Sequence, residues 1–137
     1  MSLVLDSSMA LAWIYQDENS PLASEVLQRV VVDGAWATSI WRLEIANGLR
    51  TGIRRGRIDK NERDQALSEL ERLNIQIDLE TDRRAWGAAL RVSDQLGLTP
   101  YDASYLELAQ RLSLPIASLD AQLCDAARAL GVAVVGD

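Results

Sequence analysis

The sequence has no histidine and no phenylalanine, a single cysteine, and three prolines in 137 residues. Without histidine there is no Ser-His or Cys-His pair, no imidazole base and no histidine metal ligand. Cys124 alone builds neither an internal disulfide nor a thiolate metal cluster within one chain, and it reads as a small buried helix residue. Long apolar runs are missing too. The opening MSLVLDSSMALAWIYQDE lacks a basic leading region, Asp6 interrupts its apolar run, and nothing approaches the length needed to span a bilayer. The expectation is a cytoplasmic protein with no membrane partner.

Positive charge is also scarce, with a formal net charge of -6. Unaided, non-specific nucleic-acid binding needs a basic surface to neutralise phosphates, so that function is disfavoured. A nuclease is not excluded, because acids gathered around divalent cations make the overall charge a poor guide to the charge of a site. Any chemistry falls to carboxylates, hydroxyls, arginine, tyrosine or a bound metal. Apolar residues make up 48% of the chain, enough for one core, and residues 1–137 are expected to form a single domain.

Strand and helix signals alternate along the chain. SLVLD (Ser2 to Asp6), AWATS (Ala35 to Ser39), IQIDL (Ile75 to Leu79), PIASLD (Pro115 to Asp120) and a final VAVVG read as short strands. Between them SSMALAWIYQ, PLASEVLQRVVV, IWRLEIANGLRTGIRR, DKNERDQALSELERL, DRRAWGAALRVSDQLG, TPYDASYLELAQRL and AQLCDAARALG read as helices. Ser20 is suited to an N-cap with Pro21 in the first turn, and Gly56, Gly97 and Gly131 to helix ends. The pattern predicts a three-layer α/β/α sandwich with a short, mainly parallel central sheet.

Four acids stand out. Asp6 and Asp120 are each the last residue of a predicted strand, where open parallel sheets bind their ligands. Glu44 lies one turn into a helix on the stripe of Trp41, Ile45 and Gly48. Asp102 heads the apolar stripe of Tyr105, Leu106 and Ala109. Neither Glu44, Asp102 nor Asp120 has a basic residue three or four positions away. Asp125, by contrast, faces Arg128, and Glu80 is close in sequence to Arg83 and Arg84. Four unpaired carboxylates in one crevice would repel one another, and a divalent cation removes the conflict. All-oxygen ligands suit Mg²⁺ or Mn²⁺. Helix capping is the competing reading: Asp6 and Asp120 precede helices, and Thr99-Pro100-Tyr101-Asp102 fits a capping box.

LVLDSS, LEIANGL, TPYDASYLELA and SLDAQL, in that order and spacing, resemble the PIN-domain family, most closely the VapC-type toxins of bacterial and archaeal toxin–antitoxin pairs. The resemblance implies a metal-dependent endoribonuclease directed at single strands, with Asp6, Glu44, Asp102 and Asp120 as the acids that hold Mg²⁺ or Mn²⁺. It further implies a supporting hydroxyl from Ser118, an orienting contact from Asn47 to Glu44, a homodimer, and a cognate VapB-like antitoxin whose C-terminal segment covers the site.

In GLRTGIRRGR, Arg50, Arg54, Arg55 and Arg57 suit RNA phosphates or, equally, a solvated helix C-terminus. The tryptophans suit base stacking or, more simply, a core that has no phenylalanine. Other functions fit less well. A haloacid-dehalogenase-like phosphatase usually has a second aspartate where Ser8 stands. A response-regulator receiver needs an acidic pair on the first strand and a late lysine, and the only lysine is Lys60. A catalytically silent domain that binds RNA or a partner keeps the fold without the reaction.

Overall fold

The computed structural model describes residues 1–137. Four short strands, β1 (Val4–Leu5), β2 (Ala35–Ala37), β3 (Ile75–Ile77) and β4 (Ile116–Ala117), form one sheet in the order β3-β2-β1-β4. Every pairing is parallel, with Val4 opposite both Trp36 and Ile116. Eight α-helices flank the sheet: α1 (Ser7–Ile14), α2 (Pro21–Asp33), α3 (Trp41–Arg54), α4 (Lys60–Glu71), α5 (Thr81–Arg84), α6 (Ala88–Leu96), α7 (Pro100–Leu112) and α8 (Ala121–Leu130). None is long and apolar enough to cross a membrane.

The strands read as continuous apolar runs because both faces are covered. Leu3, Val4, Leu5, Ile116 and Ala117 are fully buried, and Met9, Ile45, Leu49, Leu106 and Leu108 close over them from the helices. With no phenylalanine, the large aromatic volume of the core comes from Tyr105, Trp41 and Tyr15. Helix α1 packs on α2 and α3, α6 packs on α7, and α7 lies along β1 and β4.

The strand order decides where a ligand site forms. From β1 the chain moves to β2 and then β3 on one side, then returns past β1 to place β4 on the other. The direction of winding therefore switches between β1 and β4, and the crevice of an open parallel sheet opens beyond the carboxyl ends of the strands at such a switch. Asp6 and Asp120 follow those two strands.

Local signals explain most boundaries. Ser20 accepts the Ala23 N–H with Pro21 at the first position of α2, and Asp59 and Glu62 form a reciprocal capping box on α4. Gly97 and Gly131 end α6 and α8 in the left-handed conformation. Two glycines let α3 lie close on α1: a Cβ at Gly48 would come 2.6 Å from Leu11, and one at Gly52 would come 1.9 Å from the Tyr15 hydroxyl.

Two expectations fail. The helix expected across residues 82–97 is two helices, because Gly87 takes a non-helical conformation (φ -113°, ψ -103°) between α5 and α6. Glycine loses the most freedom in a helix and breaks one at little cost. The final VAVVG is not a strand. Only Val134 bridges Ile116, in parallel, before a turn through Gly136 (φ 104°) directs the chain away.

Candidate active site

Asp6 lies directly after β1, at the carboxyl edge of the sheet. Its side chain is 4% exposed and lies beyond the last residue of β1, where its N–H still continues the ladder to the Ala117 carbonyl at 3.0 Å. It stands at the N-cap of α1 without making the side-chain cap bond. Instead Oδ2 accepts two hydroxyls, from Ser8 and from Ser118, each at 2.7 Å. Both serines are fixed from behind: Ser8 Oγ accepts the Leu119 N–H and Ser118 Oγ accepts the Asp120 N–H, each at 3.0 Å. The ends of β1 and β4 are thereby joined, and Oδ1 is left without a hydroxyl donor. Burial raises the Asp6 pKa, the serine hydrogen bonds oppose the rise, and the charge of Asp120 adds to it.

Asp120 is exposed and does cap its helix, with Oδ1 accepting the Leu123 N–H at 3.0 Å. Capping occupies one oxygen and leaves the other, so the two readings of this residue are compatible. Asp102 decides differently. Thr99 Oγ1 accepts the Asp102 N–H at 3.2 Å, but the reciprocal bond of a capping box is absent and α7 is capped by Thr99 alone. The half-buried Asp102 carboxylate has its pKa raised by burial, then by Asp6 and Asp120.

Glu44, half-buried on α3, accepts the Tyr105 hydroxyl at Oε1. Tyr105 is fully buried on α7, and burial together with the neighbouring Glu44 pushes its phenol far above the usual range, so it stays protonated and remains a donor. Burial raises the Glu44 pKa, the tyrosine opposes the rise, and Asp6 and Asp102 add to it. The charges of Asp6 and Asp102 thus act on Glu44, those of Asp6 and Asp120 on Asp102, and that of Asp120 on Asp6.

No arginine or lysine pairs with any of them, whereas buried Asp78 and Glu107 share Arg111 at 2.7 and 2.8 Å. Asp125 pairs with Arg128 at 2.9 Å and Glu80 with Arg84 at 3.8 Å, as their spacing foretells. Three or more of the acids do not close into a ready-made metal cage. The donor set, all carboxylate oxygen, partly buried and without cationic partners, fits Mg²⁺ or Mn²⁺, ions that retain much of their water.

Asn47 makes no hydrogen bond to Glu44. It is exposed on α3, while the Glu44 oxygen is turned inward to Tyr105. The arginines separate. Arg57 is bound to Asp17 at 2.7 Å and lies over the Tyr15 ring. Arg50 and Arg54 line a cleft between α3 and α4 together with Lys60 and Arg63, away from the Glu44 side of the helix. Arg55 falls on the Glu44 stripe, about 16 Å along the axis. Trp13 and Trp36 are partly buried and Trp41 is buried, while Trp86 is 93% exposed. Cys124 is a free, buried thiol on α8. Sequence reasoning missed Ser8 and Tyr105 as supports of the site, although Tyr105 lies one turn beyond Asp102 with a polar tip on a buried face.

The sequence matches the PIN domain over residues 3–129. The chain belongs to the PIN-domain family. Ribonuclease VapC3 of Pyrobaculum aerophilum is 29% identical over 129 residues, covering 91% of this chain and 94% of the relative. The PIN fold is shared with the crystal structure of PAE2754 from Pyrobaculum aerophilum, at a TM-score of 0.68 and 23% identity over 92% of this chain and 87% of that one. FitAcB from Neisseria gonorrhoeae is similar in fold at a TM-score of 0.58 and 18% identity, over 98% and 96% of the two chains. In this PIN domain Asp6 and Asp120 follow β1 and β4 at the switch in winding, and Glu44 is joined to α7 through Tyr105.

Proposed function

We propose that this PIN domain is a VapC-like endoribonuclease in which Asp6, Glu44, Asp102 and Asp120 hold Mg²⁺ or Mn²⁺. The observation that supports the reading is that Asp6, Glu44 and Asp102 have their pKa values raised by burial and by neighbouring acids of the set, and that none of the four acids is paired with a cation of the protein. A bound divalent ion supplies positive charge against the phosphodiester and makes water a better nucleophile at neutral pH. The chain's own part is to hold and orient. Ser8 and Ser118 fix one oxygen of Asp6, Tyr105 fixes one of Glu44, and the Leu123 N–H fixes one of Asp120. These bonds fix the orientation of the three carboxylates. Water attacks phosphorus, the bond to O3′ breaks, and the products carry a 5′-phosphate and a 3′-hydroxyl.

The kinship with a VapC ribonuclease supports further parts of the same proposal: a homodimer, and a VapB-like antitoxin that restrains the enzyme by covering the crevice. Arg55, on the Glu44 stripe, is the best placed of the three arginines to meet RNA leaving the site. Arg50 and Arg54 belong to the neighbouring α3–α4 cleft.

The test is cleavage of a mixed RNA pool by chain freed of any partner, with Mn²⁺ or Mg²⁺ against EDTA, beside Asp102→Asn. Metal-dependent fragments with 5′-phosphates, absent with the variant, are expected. Metal-independent cutting, or 2′,3′-cyclic phosphate ends, overturns the mechanism.

A further inference from the structure

Beside the carboxylates lies a cleft of a different character. It has a volume of about 460 Å³ and opens between the first turns of α3 and the start of α7, with Glu44 and Ser7 on its inner wall. That size falls within the range of about 300–1,000 Å³ usual for small-molecule sites. Leu11, Ile40, Leu43, Asn47, Gly48 and Tyr101 complete its lining. Tyr101 is 64% exposed and Leu43 is 72% exposed, so two large side chains from different helices stand in water at the mouth of one cavity. Asn47 is exposed and has an amide free to donate and accept.

Charge selects the occupant. The lining contains no arginine or lysine, and its one ionisable carboxylate is Glu44. A phosphate entering here would meet a carboxylate and no cation. A neutral, flat group meets an aromatic face, aliphatic surface and one amide, which are the elements that bind an unpaired base by stacking and by contacts to its edge. Glu44 belongs at once to this cleft and to the carboxylate rim, so whatever fills the cleft lies next to the reacting phosphate.

We infer that the cleft is a base subsite: it takes one unpaired nucleobase adjoining the scissile phosphodiester, with Tyr101 as the stacking face and Asn47 as the group that reads the base edge. The inference rests on the ribonuclease reading and adds to it a site of sequence preference. A base within a duplex has its faces already stacked, so the subsite also makes the enzyme act on single strands.

The experiment compares Tyr101→Ala, Tyr101→Phe, Tyr101→Trp and Asn47→Ala in two assays. Binding of a labelled single-stranded oligoribonucleotide is followed by anisotropy on an Asp120→Asn background, which prevents turnover. Cleavage of a randomised single-stranded pool is sequenced on the otherwise native chain. Tyr101→Ala is expected to weaken single-strand binding about ten-fold and to act mainly through KM, while Phe and Trp preserve binding. Asn47→Ala is expected to change the base preference beside the cut. Native cleavage with unchanged binding and unchanged cut sites in Tyr101→Ala overturns the subsite and leaves the nuclease standing. Binding lost in Tyr101→Ala by a chain that never cleaves overturns the nuclease and retains the subsite. Equal weakening of single-strand and duplex binding in Tyr101→Ala, or loss of affinity only for a protein partner, overturns the base assignment.

Discussion

The hydroxyl of Tyr105, buried on α7, donates to the carboxylate of Glu44 on α3, across 61 residues of sequence. It is a protein donor to a side chain that has no cationic partner, and it ties the orientation of a candidate ligand to the packing of the core.

Tyr105→Phe keeps the buried ring and removes this donor. Glu44 is only half-buried, so water replaces the lost bond and the cost in stability should stay near 1 kcal/mol, by about the usual net worth of a hydrogen bond. Removing an outer partner of a metal ligand costs about 10- to 100-fold in affinity or activity. Mn²⁺ titration calorimetry and cleavage, set beside urea unfolding, check both halves. A variant less stable but with unaltered metal affinity would make Tyr105 a packing residue alone.

Asp102 and Asp120 should part company when neutralised or truncated in the absence of metal. Asp102 makes no cap, so Asp102→Asn relieves repulsion and leaves the apo protein as stable or more so, while cleavage disappears. Asp120 caps α8, so Asp120→Ala loses about 1 kcal/mol and Asp120→Asn retains the cap. Thermal unfolding in EDTA distinguishes the three.

Ser8 and Ser118 each both donate to Asp6 and accept a backbone N–H. Ser118→Ala removes one hydrogen bond to Asp6 and orphans the Asp120 N–H, at a cost of about 1–3 kcal/mol. Because both hydroxyls meet the same oxygen, the pair should be non-additive with Ser8→Ala by at least about 0.5 kcal/mol, measured as a double-mutant cycle by chemical unfolding.

The pH dependence of folding should carry the mark of Arg111. Burial acts to raise the Asp78 pKa, but hydrogen bonds from Arg111 and Thr81 outweigh it, and the folded value lies below 3.8. A depressed carboxylate stabilises the fold above its unfolded pKa, and that contribution is lost as pH falls through the folded value. Stability should therefore drop in the acid range below about pH 4. Arg111→Gln leaves Asp78 buried without its cation and Glu107 with only Arg84 at 3.9 Å, and should cost about 3–5 kcal/mol at pH 7. The deficit should shrink as pH falls through the acid range and Asp78 takes up a proton. Urea unfolding of both proteins between pH 3 and 7 makes the comparison.

What the sequence disclosed was governed by short range. Asp6 and Asp120 were visible because a strand ended and a helix began there. Glu44 and Asp102 were visible because an acid on an apolar face with no base within a turn is costly. The parallel sheet followed from apolar runs between helices. Relationships that join distant segments were not readable: Tyr105 with Glu44, Ser8 with Ser118, and Asp78 with Arg111, which brings a second acid to the Glu107–Arg111 pair one turn apart on α7. Arg50, Arg54 and Arg55 looked alike in sequence because a run of residues shows no face until the helix around it has neighbours. The break at Gly87 needed a local conformation that helix propensity alone does not fix.

The bond from Ser118 to Asp6 closes a span of 112 residues. On a ribosome the amino-terminal strand emerges long before its partner exists, and parallel pairing over such a distance forms late. Asp6 and Glu44 are then already made, but Asp102 and Asp120 have still to be added, and no partial product holds the complete rim. The proposed nuclease therefore cannot assemble its four acids before Asp120 has been made and β4 has paired with β1.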